Sequence, residues 1–196
     1  MNKVGIRLFM AALAACVCSF SATAEEDDEE LTGLTAKKVV TEDGRLTQEG
    51  SKFEDGKWIL PDDSPTFSIV KKPKFKVDWY TYNGYRRYHD ACHVCHGPDA
   101  EGSTYAPRLA TSLATISYDD FVATVSGGRQ VKRPGGGFSV MPAFGANKNV
   151  MCYIDDIYTY LKARALGALP RGKLSGRMRE KKPDEAREYD KECFGE

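Results

Sequence analysis

The sequence predicts a mainly α domain, and three observations predict it. From Asp78 to His96 the chain reads as helix, with Gly84, Tyr88 and Cys92 four residues apart on one face. Val150, Ile154, Ile157 and Leu161 form a second apolar stripe at helical spacing within residues 150–166. The first of these helices ends in Cys92-His93-Val94-Cys95-His96, which gathers two thiols and an imidazole within about one turn.

That spacing matches the attachment site of a c-type haem. On one helical turn Cys92 and Cys95 reach the two vinyl groups of a porphyrin and form thioethers. His96 then presents its imidazole to the iron from the same side. A zinc half-site would require a second ligand pair at similar spacing, and the chain has none. A redox Cys-x-x-Cys would require a thioredoxin-like βαβ surround, which the flanks do not offer. One covalently attached haem c is the expected cofactor.

Each remaining element has its own sequence signal. A glycine inside a helix costs about 1 kcal/mol relative to alanine, so Gly84 implies close approach of another helix. Residues 150–166 are the expected partner, with Asn149 as the cap and Ile157, Tyr160 and Leu161 crossing at Gly84. Tyr118 to Val125 reads as a third, short helix, opened by Ser117 and closed by Gly127-Gly128.

Residues 25–77 carry few sustained apolar faces. Asp43-Gly44, Asp55-Gly56 and Pro61 to Pro65 are turn signals between short pieces. Lys57 to Leu60 and Thr66 to Val70 read as short strands or straps, and Lys71 to Lys76 as a linker around Pro73. The expectation is a mostly irregular extension that wraps the haem domain, with Phe53, Trp58, Phe67 and Phe75 available for burial.

Residues 1–24 have the order of a secretory signal peptide: Lys3 and Arg7, an apolar run from Leu8 to Phe20, then Ala22-Thr23-Ala24. Cleavage is expected after Ala24, removing Cys16 and Cys18. The run is too short to span a bilayer comfortably, so no stable membrane insertion is expected. Export to the periplasm suits a protein whose haem is joined outside the cytoplasm. The mature chain is of one-domain size and carries a formal charge of about −2. A nucleic-acid binder would show a clustered basic excess, so no nucleic acid is expected. Glu25 to Glu30 are consecutive acids, and Arg164, Arg171, Lys173, Arg177, Arg179, Lys181 and Lys182 mark a basic tail. Both runs read as solvated, mobile ends.

Three further segments complete a recognisable series. Gly84-x-x-x-Tyr88-x-x-x-Cys92-x-x-Cys95-His96, then Ala106-Pro107-Arg108-Leu109, then Met141-Pro142-Ala143-Phe144-Gly145 resembles a class I cytochrome c over residues 78–166. Gly84-Tyr85-Arg86-Arg87-Tyr88, Gly97-Pro98-Asp99 and Asp155 to Arg164 are similar to the methanol-metabolism-related cytochromes c that accompany PQQ-dependent alcohol dehydrogenases. The domains implied are a signal peptide (1–24), an N-terminal extension (25–77), a cytochrome c domain (78–166) and a C-terminal tail (167–196).

The resemblance implies site residues. Met141, preceding a proline in a loop, is expected to reach the iron opposite His96, where a thioether raises the reduction potential relative to nitrogen ligands. Its alternative is simple loop packing. The Pro107 carbonyl is expected to receive the other ring hydrogen of His96, and Leu109 to pack on the porphyrin edge. Arg129 or Lys132 is a candidate partner for a propionate, and Gly135-Gly136-Gly137 reads as flexible loop. Met151 is expected in the core; Met178, His89 and His93 are not expected at the iron, and both histidines are expected on the surface.

Cys152 and Cys193 remain in an oxidising compartment, and a disulfide between them is expected to tether the tail. Two free thiols are the alternative. Two function classes stay open. The first is a one-electron carrier, fed by a PQQ-dependent methanol or alcohol dehydrogenase or by an unrelated periplasmic dehydrogenase, and emptied by another cytochrome or a terminal oxidase. The second is an open-site haem enzyme or ligand sensor, peroxidase-like or gas-binding. Met141-Pro142 favours the carrier, which needs no catalytic acid or base.

Overall fold

The computed structural model describes residues 37–195. The expected signal peptide, Cys16, Cys18 and the acidic run Glu25 to Glu30 lie outside them. Asp78 opens the first helix, α1 (Trp79–Ala91), as its N-cap. Its carboxyl accepts from the Thr81 backbone N–H at 2.8 Å, the Thr81 hydroxyl at 2.5 Å and the Ser68 N–H at 2.8 Å. Burial pushes this carboxyl above the usual range, and the three hydrogen bonds oppose that shift. The same cap therefore fixes α1 to the segment before it.

After α1 come the one-turn helices α2 (His93–His96) and α3 (Leu109–Ser112) and the longer α4 (Tyr118–Gly127). Ser117 caps α4 by accepting from Asp120 N–H at 3.1 Å, and Gly128 closes it. The predicted single helix at 150–166 is two, α5 (Lys148–Met151) and α6 (Ile154–Ala165). Tyr153 breaks the run with φ −128° and ψ 23°. Asn147, not Asn149, is the cap of α5: its side chain accepts from the Asn149 N–H at 3.0 Å. α6 packs across α1 at Gly84, where it presents the backbone of Asp156 and Ile157. Tyr160 and Leu161 lie beyond the crossing in the core, Tyr160 against Tyr88 with ring centroids 5.4 Å apart.

The extension is not irregular. It forms strands β1 (Lys38–Val40), β2 (Arg45–Gln48), β3 (Lys52–Glu54), β4 (Lys57–Ile59), β5 (Pro65–Thr66), β6 (Ile69–Val70) and β7 (Lys76–Val77). One antiparallel sheet runs β1-β2-β6-β7 and a second runs β3-β4-β5. Leu46, Phe67, Ile69 and Val77 anchor this layer in the core. Thr47 donates its hydroxyl to the Phe67 carbonyl at 2.7 Å, and Thr66 donates to Gln48 Oε1 at 2.7 Å. These pairings satisfy polar groups that burial would otherwise leave costly. Phe53 departs from expectation: it is 62% exposed and meets Trp58 at 5.6 Å.

The tail also departs from expectation, because several of its cations are held. Arg164 is buried; it donates to the Leu169 carbonyl at 2.7 Å and pairs with Glu101, as does Arg171. Arg179 lies 4.8 Å over the Trp79 ring, and its backbone bridges in parallel to Val77. Glu180 returns to Arg45 at 2.9 Å. The last helix, α7 (Asp184–Phe194), is tied by the Cys152–Cys193 disulfide, with Cα atoms 6.0 Å apart. Neither cysteine is a free thiol. Among the described residues no helix is long and apolar enough to cross a membrane.

Candidate haem-binding site

α1 delivers Cys92 at its C-terminal end, where the Cys92 N–H still donates to the Tyr88 carbonyl at 2.8 Å. α2 then turns Cys95 and His96 within one further turn. Neither Cys92 nor Cys95 is in a disulfide; Cys92 is half-buried and Cys95 exposed. Burial, with a smaller contribution from Cys95, pushes the Cys92 thiol up to about 12. A redox pair needs a thiolate near neutral pH, which this environment disfavours.

His96 is buried, and its Nδ1 lies 3.0 Å from the Pro107 carbonyl oxygen. A carbonyl only accepts, so the proton sits on Nδ1 and Nε2 keeps a free lone pair. The backbone braces the same histidine, since Gly102 N–H donates to the His96 carbonyl at 2.7 Å. Ser103 and Tyr88 donate to the carbonyls of Cys95 and Gly97 on either side. This donor set fits a c-type haem: two free cysteines and an imidazole already fixed in the metal-binding tautomer. Leu109 begins α3 and is half-buried at the edge of the core, as are Ile116, Val122 and Phe144.

Met141 is not in a loop. It ends β9 (Phe138–Met141), which pairs antiparallel with β8 (Arg129–Lys132). Gly135-Gly136-Gly137 is the turn of this hairpin, closed by Arg133 N–H donating to the Gly137 carbonyl at 2.9 Å. The register places Arg129 opposite Met141 and Lys132 opposite Phe138. Directly paired residues share a face and neighbours alternate, so Arg129 lies on the Met141 face and Lys132 on the other. Of the two propionate candidates, Arg129 is the one that shares a face with Met141.

Beyond Met141 the chain is pinned to the end of α4. Phe144 N–H donates to the Val125 carbonyl at 2.9 Å, and Gly145 N–H to that of Ser126 at 3.0 Å. Gly128 makes this possible: a Cβ there would come within 2.7 Å of the Met141 carbonyl oxygen and 2.8 Å of the Ala143 nitrogen. Sequence reasoning took Gly128 only as a helix stop. It also missed the link from Ser139 Oγ to the Tyr105 carbonyl, at 2.9 Å. Ser139 stands two residues before Met141 and Tyr105 two before Pro107, so the structure brings these two segments together.

The remaining candidates stay away from this arrangement. Met151 is half-buried at the end of α5 and packs against the core, as Met178 does from a short turn. His89 and His93 are half-buried rather than surface residues. His89 Nδ1 lies 2.8 Å from the Tyr85 carbonyl, and its ring stacks on His93 at 5.3 Å. Both belong to the α1–α2 segment that carries His96.

No family model matches the chain. It is 47% identical over 162 residues to cytochrome c-553I of Paracoccus denitrificans, covering 80% of this chain and 70% of that one. It is 43% identical over 108 residues to cytochrome c-555 of Methylococcus capsulatus, covering 54% of this chain and 80% of that one. The solved structure of c-type cytochrome XoxG from Methylobacterium extorquens AM1 is similar, with 51% identity and a TM-score of 0.65. That match covers 74% of this chain and 85% of the other.

Proposed function

Because this chain belongs to the class I c-type cytochromes, we propose that it carries single electrons in the periplasm from a PQQ-dependent methanol or alcohol dehydrogenase to another cytochrome or a terminal oxidase. The chain is an electron carrier and not an enzyme, as its relatives are. The donor, the acceptor and the compartment rest on the motif resemblance and on the signal-peptide pattern of residues 1–24.

One observation carries the reading: the Pro107 carbonyl fixes the His96 tautomer, while Ser139 ties the strand of Met141 to the loop of Pro107. Haem c, when bound, supplies the one-electron couple. We assign Cys92 and Cys95 as the residues that would attach it, His96 and Met141 as those that would hold its iron, and Leu109 as one that would pack against it. His96 is held with Nε2 available, and burial keeps water from competing for it. Met141 is supported by a paired strand on one side and by the end of α4 on the other. This chain's residues thus hold both ligands on braced backbone, which limits rearrangement between oxidation states.

Mass spectrometry of the purified protein is expected to give one covalent haem per chain. The spectrum should be low-spin, with the weak far-red sulfur-to-iron band in the ferric form. Mixing with a reduced PQQ-dependent dehydrogenase from the same organism should reduce the cytochrome on the turnover timescale. Failure of that reduction with intact haem sinks the donor assignment. A high-spin ferric spectrum sinks the carrier assignment in favour of an open site.

A further inference from the structure

We infer that the outward face of the β8–β9 hairpin is a docking surface for a redox protein that presents an apolar patch rimmed by carboxylates. This rests on the electron-carrier reading above. Three observations point to it.

The first is charge. Between Asp120 and Asp155 the chain contains Arg129, Lys132, Arg133 and Lys148 and no acidic residue, although over the whole chain acids and bases are equal in number. Among the described residues none of these four cations forms an ion pair. Arg45, Arg164 and Arg171, by contrast, are each paired with a carboxylate. An unneutralised basic segment of this kind steers association with an acidic partner.

The second is apolar exposure. Phe138 is 57% and Val140 63% exposed, on the strand that ends in Met141. The register puts both on the face away from Met141, with Lys132 and Gln130 opposite them. Haem binding on the Met141 face leaves them uncovered. An aromatic and an aliphatic side chain bordered by cations have the composition of an interface centre with a polar rim.

The third is connection. Ser139, on the Met141 face of the strand, ties the hairpin to the Tyr105 carbonyl at 2.9 Å, so the hairpin is anchored from that side and its Phe138 and Val140 face is left free. A partner seated there contacts the strand that carries Met141, the residue assigned above to the iron.

The test uses holo cytochrome as wild type, K132E/R133E and F138S/V140S, with spectrum and reduction potential confirming an unchanged haem site. Reduction by the dehydrogenase is followed at several ionic strengths. Reduced cytochrome is also oxidised by two small probes, hexacyanoferrate(III) and tris(phenanthroline)cobalt(III), each taking one electron. The expected result is a loss of about tenfold in dehydrogenase rate at low salt for both variants. For K132E/R133E the loss should vanish at high salt; for F138S/V140S it should persist. The same charge reversal should slow the anionic probe and speed the cationic one. Equal dehydrogenase rates for all three proteins overturn the docking surface and leave the donor assignment standing. If the dehydrogenase does not reduce wild type, the donor assignment falls and the probes decide the surface: unchanged probe rates in K132E/R133E overturn it. Sedimentation showing a wild-type dimer that F138S/V140S abolishes assigns the face to self-association and also overturns it.

Discussion

Gly84 of α1 lies directly against the backbone of Asp156 in α6: a Cβ at Gly84 would sit 1.7 Å from the Asp156 carbonyl oxygen and 3.0 Å from the Ile157 nitrogen. No side chain at position 84 avoids this, because the obstacle is main chain. Gly84→Ala should therefore force the helices apart and cost about 2–4 kcal/mol, well beyond the gain from helix propensity. Thermal unfolding of the holo protein measures it. A variant as stable as wild type would mean that the crossing relaxes without cost.

The same crossing buries a carboxyl. Asp156 accepts from Asn83 Nδ2 at 2.7 Å, and burial pushes its pKa up to about 8, partly opposed by that hydrogen bond and by Lys57. In the unfolded chain the group ionises near 4. Its proton is thus retained on folding between these values, and stability falls as pH rises from about 4 to about 8. Asp156→Asn keeps an acceptor and removes the titration. The variant should lose about 1–3 kcal/mol of pH dependence across that window, becoming more stable than wild type at the alkaline end. Parallel stability curves for the two proteins would contradict the burial argument.

The disulfide makes a separate contribution. Cys152 and Cys193 are 41 residues apart, so closing that loop contributes about 4 kcal/mol in the chain-entropy model. Cys193→Ser should lower the melting temperature while leaving the visible spectrum unchanged, since α7 lies outside the haem-binding segments. Loss of the low-spin spectrum in this variant would show that the tail also supports the site.

How much of this was legible in sequence depended on the range of the interactions. Cys92, Cys95 and His96 are local chemistry, readable from spacing alone, and the Asp78, Ser117 and Gly128 helix boundaries follow from local rules. The strands of the extension are two to four residues long, too short for alternation to register. Their buried anchors, such as Phe67 and Ile69, are fixed by partners in distant segments. Arg164 and Arg179 looked solvated because charge runs usually are; only the fold supplies Glu101 and the Trp79 ring. Gly128 carried a legible signal as a helix stop, but its contact with the Met141 backbone is a tertiary fact.

That contact leads to the last prediction. Met141→Ala removes the assigned soft ligand, so the far-red band should disappear and the reduction potential should fall, with haem still attached through Cys92 and Cys95. This variant alone does not separate ligation from packing, because Met141 also touches the core. Gly128→Ala supplies the separation. It keeps the methionine but introduces a Cβ 2.7 Å from its carbonyl oxygen at a backbone φ of +73°, displacing the segment. If Met141 is the ligand, Gly128→Ala should weaken the same band and make the ferric protein easier to convert to a high-spin form by mild heating. Met141→Leu, which preserves apolar volume, should lose the band completely while retaining more stability than Met141→Ala. A far-red band that survives in both position-141 variants, at an unchanged potential, would place the sulfur ligand elsewhere in the chain.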